Sequence, residues 1–134
     1  MVSMQQSLPA HAFNWWWGWS MVLAAFVTGA ALGLFFYRAD FLGGYASFPR
    51  RMVRLGHIAL AALGMMNVLY SLSPWPTVGT VGSRTASMGF AIGGITMPTV
   101  CFLAGWKPFF RYAFFVPVIA LVVAVLAVLG GGLP

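Results

Sequence analysis

Hydrophobic and polar positions fall into long blocks along this chain. Four apolar runs stand out: Trp15 to Tyr37, Met52 to Leu72, Thr85 to Trp106 and Phe109 to Gly130. Each is close to the roughly 20 residues that an α-helix needs to cross a bilayer. The pattern predicts an all-α membrane protein, a four-transmembrane-helix bundle forming a single integral membrane domain over residues 1–134. No internal repeat is evident, and no linker is long enough to divide the chain.

The breaks between runs carry their own signals. Ser47 is placed to cap the second helix, with Pro49 in its first turn, where a missing N–H is not needed. The SPWP segment, Ser73 to Pro76, stops that helix because proline cannot continue the hydrogen-bond ladder. Ser83 is the expected cap of the third helix. Pro108 is expected to open the fourth, and Gly130 to Gly132 to close it. Pro98 and Pro117 lie inside spans and are expected to kink them, freeing the carbonyls of Gly94 and Ala113.

Composition turns length into environment. The chain is 61% hydrophobic and 6% charged, against roughly 25% charged in a soluble domain. So few charges cannot cover a water-facing surface, and lipid is the expected solvent. Lys and Arg number 7 against 1 acid, for a net charge of +6. In a soluble chain that excess suggests nucleic acid. Here the basic residues border the spans, so membrane lipids are expected as partners and nucleic acid is not.

The placement of charge predicts orientation. Arg38, Arg50, Arg51 and Arg54 border the first connection, Lys107 and Arg111 border the third, and Arg84 alone falls in the other set. The positive-inside rule puts the first and third connections in the cytoplasm. Both termini are then on the outer, periplasmic side, most plausibly of a bacterial inner membrane. The first 14 residues hold no Lys or Arg, and the apolar run after them exceeds a signal-peptide core, so that run is expected to stay as a helix. Trp15, Trp16, Trp17, Trp19 and Trp75 suit the outer headgroup zone, and Trp106, Phe109, Phe110 and Tyr112 the inner one. Three consecutive indoles point three ways round a helix, so at least one should face protein.

Small residues mark expected helix contacts. Ala25, Gly29 and Gly33 form one stripe, Gly56, Ala59, Ala61 and Gly64 another, and Gly89 with Gly93 a third. Such stripes let backbones approach closely in lipid. Val116 to Leu129 carries no polar side chain, which suits a helix facing lipid or a partner.

The polar residues expected within the spans are Thr28, His57, Asn67, Thr96, Thr99 and Cys101. His57 lies one turn from Arg54, where fixed positive charge favours the neutral ring. That form ligates metal or hydrogen-bonds a quinone. The other histidine, His11, is expected in the outer tail, about 30 Å away across the bilayer. A haem b held by both histidines of one chain is therefore excluded; a His/Met pair, or a pair shared across a dimer or with another subunit, is not. His57 packing on a neighbouring helix is the first reading, with no cofactor; haem b or quinone at His57 is the alternative. Asn67 is ten residues further on, about 80° round the helix from His57. The pair should share a protein-facing face, with Asn67 hydrogen-bonding across helices. Arg50, Arg51 and Arg54 could clamp a lipid headgroup or a cofactor's acid groups.

Absences narrow the function. A lone Cys101 allows no internal disulfide and no cysteine metal motif. Asp40, the sole acid, sits beside Arg38 in a loop. No carboxylate lies within a span, which argues against proton-coupled carriers, including the four-span multidrug carriers that use an embedded glutamate. There is no nucleophile–base pair, HExxH motif or phosphate loop. No catalytic residue and no metal site is assigned, and the chain is not expected to be an enzyme. The leading expectation is an accessory structural subunit of a larger membrane complex, respiratory or photosynthetic, with other membrane subunits as partners. The first alternative is a small redox protein using His57 and the Arg50/Arg51/Arg54 cluster. The second is a homo-oligomeric channel or anion carrier built on the Gly/Thr-rich third span.

Overall fold

The computed structural model describes residues 11–73 and 80–131. It contains four long helices: α1 (Ala12–Phe36), α2 (Phe48–Leu72), α3 (Val81–Trp106) and α4 (Phe115–Gly130). Short 3-10 segments cover Phe41–Gly43 and Pro108–Phe114. No strand occurs among the described residues. All four helices are long and apolar enough to cross a membrane, the fourth when counted with its 3-10 lead-in as Pro108–Gly130.

The ends of the helices follow local chemistry, with three departures from expectation. α1 begins at Ala12, not Trp15, so Asn14 lies inside it. The cap of α3 is Thr80, whose hydroxyl accepts the Ser83 N–H at 3.3 Å. Ser83 is therefore already helical, and its carbonyl accepts the Tyr70 hydroxyl at 2.8 Å. Pro108 opens a 3-10 segment, and α4 proper starts only at Phe115. Pro117 thus falls in the first turn of α4, where its missing N–H breaks no bond. Pro98 does lie within α3, fully buried. Ser47 caps α2 by accepting the Arg50 N–H at 3.3 Å. The same hydroxyl donates to the Leu42 carbonyl at 2.6 Å, holding a loop that reverses with positive φ at Leu42, Gly43 and Gly44. Pro74, Trp75 and Pro76 of SPWP, and Gly132, lie outside the described residues.

Each helix packs antiparallel on the next. Along α1–α2, Phe36 meets Arg50, Gly29 meets His57, and Gly18 meets Gly64. Along α2–α3, Pro49 faces Gly105, Gly56 faces Cys101 and Phe102, and Tyr70 reaches Ser83. α4 rests on α3, with Leu121 over Gly93, and Ala120 and Ala124 over Gly89. α1 and α3 touch only sparsely. One core cluster joins Met21, Ala25 and Leu60. A second joins Tyr70, Ala86, Phe90 and Ala124, linking α2, α3 and α4. This order gathers Arg38, Arg50, Arg51, Arg54, Lys107 and Arg111 at one end of the molecule and leaves Arg84 at the other.

Candidate functional site

The basic end is not a uniform charged patch. Arg50 points inward and is 5% exposed. Its guanidinium donates to the carbonyls of Phe36 at 2.7 Å, Arg38 at 3.2 Å and Ala39 at 3.4 Å. It also lies 4.8 Å from the centre of the Phe36 ring. The last carbonyls of a helix lack intrahelical partners and carry the negative end of its dipole. Arg50 therefore closes the C-terminus of α1 from the next helix, and its donors are turned away from any headgroup. Arg51 is exposed, and the Arg54 guanidinium sits over the Tyr45 ring at 4.7 Å. Asp40 pairs with Arg38 at 3.8 Å in a solvated position, where such a pair contributes little. Lys107 lies over Trp106, and Arg111 donates to the Tyr112 hydroxyl at 2.9 Å.

One turn inward, His57 stands half-buried on the α1–α2 seam. Its Nδ1 lies 3.3 Å from the Thr28 hydroxyl. Gly29 makes that approach possible: a methyl group there would stand 2.7 Å from Cε1 and 3.2 Å from Nε2. Beside the ring opens a groove of about 270 Å³, lined by Gly29, Leu32, Gly33, Phe36, Arg54 and Ile58 together with His57. Gly33 packs against nothing; a methyl group added there meets no atom within 4 Å. It was expected as a contact glycine and instead widens the groove.

The α1 backbone at Gly29 passes close to the imidazole, and the Arg50 guanidinium is taken up by carbonyls at the end of α1 and in the loop after it. His11 sits just before α1, some 18 residues from Gly29, which is about 27 Å along the helix, so the two histidines of one chain are too far apart to share an iron.

At the opposite end of the same seam the polar groups close on each other. Asn67, fully buried, accepts from Asn14 Nδ2 at 2.8 Å. Its own amide donates to the carbonyls of Leu63 at 2.9 Å and Phe90 at 3.1 Å. Asn14 also donates to the Ser87 carbonyl at 3.2 Å and accepts from the Ser87 hydroxyl. The network ties α1, α2 and α3 together. Directly below it, a methyl group on Gly18 would stand 2.6 Å from the Gly64 carbonyl, so the two backbones touch. Asn14, Ser87 and Gly18 were not singled out from sequence. Their signals were a lone polar residue just ahead of an apolar run, and a glycine embedded among tryptophans.

The ring of His11 stacks on Tyr70 at 4.6 Å, and its burial holds the imidazole below its usual pKa. Trp17 packs on the Met21–Ala25–Leu60 cluster, whereas Trp16 faces outward. No protein-family model, no curated protein and no solved structure matches this chain, so the functional reading rests on the geometry.

Proposed function

We propose that this chain is a non-catalytic subunit of a larger membrane complex, in a respiratory or photosynthetic electron-transfer setting. The observation that carries this reading is how the buried polar groups are used. Asn14, Asn67, Ser87, Arg50 and Tyr70 all bond to neighbouring helices or loops. Meanwhile α4 spends only one edge on α3, and its Ile119, Val122, Leu126 and Leu129 face outward. A self-fastened body with one helix free along most of its surface is suited to docking. The gathering of six of the seven basic residues at one end supports an orientation with that end in the cytoplasm, both termini outside, in a bacterial inner membrane. Arg51 and Arg54 would meet anionic headgroups there.

The test is purification from the native host in gentle detergent, with native-gel sizing and mass spectrometry of the band. A large band containing redox subunits is expected. A small band holding only this chain overturns the reading.

A second reading has its own observation. The groove beside His57 is open, mostly apolar with His57 and Arg54 in its lining, and of headgroup size, which favours a quinone-binding membrane protein. The channel or anion-carrier reading finds less support. The Thr96 and Thr99 hydroxyls donate to their own helix at 2.7 and 2.6 Å, and α4 covers Gly89 and Gly93.

A further inference from the structure

We propose that the groove beside His57 takes the reduced, hydroxyl-bearing ring of a membrane quinol, with Nε2 accepting its hydrogen bond and Thr28 positioning the imidazole. This rests on the quinone-site reading and narrows it to one oxidation state.

The argument begins at Thr28. A hydroxyl has one proton. Two carbonyls compete for it, Ala24 at 2.8 Å and Ala25 at 3.1 Å, both nearer than His57 Nδ1 at 3.3 Å. In the proposed arrangement the proton goes to the nearer carbonyl, so toward Nδ1 the hydroxyl oxygen accepts and the ring proton sits on Nδ1. In a neutral imidazole Nε2 is then a bare lone pair, and no described side chain or carbonyl satisfies it.

A lone pair selects among ligands. The two carbonyl oxygens of a quinone only accept, so they are mismatched to Nε2. A quinol hydroxyl donates and matches it. Arg54, also in the lining, has donors for the second ring oxygen. The groove suits a flat ring: Gly33 adds no side chain to it, and Phe36 adds an aromatic one. Its 270 Å³ falls just under the roughly 300–1,000 Å³ of sites for drug-sized ligands, which fits one ring with its tail in lipid.

The test uses the full chain in phosphatidylcholine nanodiscs with ¹⁵N-labelled histidine. The sequence holds 2 histidines, and His57→Gln assigns the signals. The probes are duroquinol, held anaerobically, duroquinone and added phosphatidylglycerol. The free protein should show His57 as the Nδ1–H tautomer. Duroquinol should shift the Nε2 signal and bind about tenfold more tightly than duroquinone, the size of one hydrogen bond matched or mismatched. Thr28→Val keeps the shape and removes the acceptor, so most of that preference should disappear. Equal binding of the two oxidation states, with a shift at His57, overturns the quinol assignment and leaves the quinone site standing. No response at His57 to either probe removes both. A shift produced by phosphatidylglycerol that duroquinol does not displace assigns the groove to lipid and overturns the proposal.

Discussion

The seam between α1 and α2 carries a polar group and close glycines at both ends, yet the two ends do different things. At the Asn67 level, α3 reaches over the seam through Phe90 and Ser87, and each amide is bonded within the protein. At the His57 level, α3 lies on another side of α2, against Gly56. The edge of the seam is then uncovered, and His57 Nε2 has no hydrogen-bond partner among the described residues. The difference is a third helix. In lipid, a polar side chain covered by three helices acts as a fastener, whereas one covered by two stays accessible to a ligand.

That contrast can be broken from the closed end first. Gly18→Val places a side chain where the Gly64 carbonyl and Val68 already stand. Such overpacking should cost about 3 kcal/mol, read as a lowered unfolding midpoint in detergent. Asn67→Leu removes the centre of the network and strands Asn14. Interhelical hydrogen bonds in membranes contribute about 0.6–2 kcal/mol each, so a loss of about 2 kcal/mol is expected in the same assay. If Asn67→Leu is neutral, the network is not the fastener. Arg50→Met removes the side-chain donor to the Phe36 and Ala39 carbonyls, while the Arg38 carbonyl keeps the Phe41 N–H at 3.3 Å, and should cost about 1–2 kcal/mol. In that variant, hydrogen exchange should rise in the α1–α2 loop and not at Asn67.

Acid should act at the closed end through His11. His11 is held below its ordinary value of 6.5 by burial, so the unfolded chain takes up the proton first as pH falls. Stability should be full above about 6.5 and decline as pH drops through the lower folded value. His11→Phe should flatten that decline, and a slope unchanged in this variant assigns it to another group. The smallest effect belongs at the open end. Gly33→Ala adds a methyl group to empty space and should shift stability by no more than about 0.5 kcal/mol. It should nonetheless weaken any ring binding in the groove.

Much of the fold was legible because apolar length dominates a helix in lipid. The four runs located the helices, and Ser47 and Pro49 located the start of α2. What escaped was height and coverage. Four-residue spacing named Gly29 and Gly33 as one stripe, but periodicity does not say where two helices cross, and the closest crossing is at Gly18 and Gly64. Asn14 read as the end of an apolar run because a linear pattern treats any polar residue as a boundary. The arginine cluster was visible as charge, yet only the packed loop shows that Arg50 turns to the α1 carbonyls while Arg51, about 100° round the helix, stays outside. His57 and Asn67 did share a face as expected. Which of them kept an open side depended on α3, which lies far away in sequence.

The attachment of α4 has a mechanical consequence. The other three helices are joined by hydrogen bonds between side chains and backbone that cross from one to the next. α4 is held to α3 by close packing over Gly89 and Gly93, with no hydrogen bond between the two helices among the described residues. Pulled from its C-terminal end, the chain should yield in two stages. The last helix should peel away at low force, and the remaining three should then rupture together at a higher one.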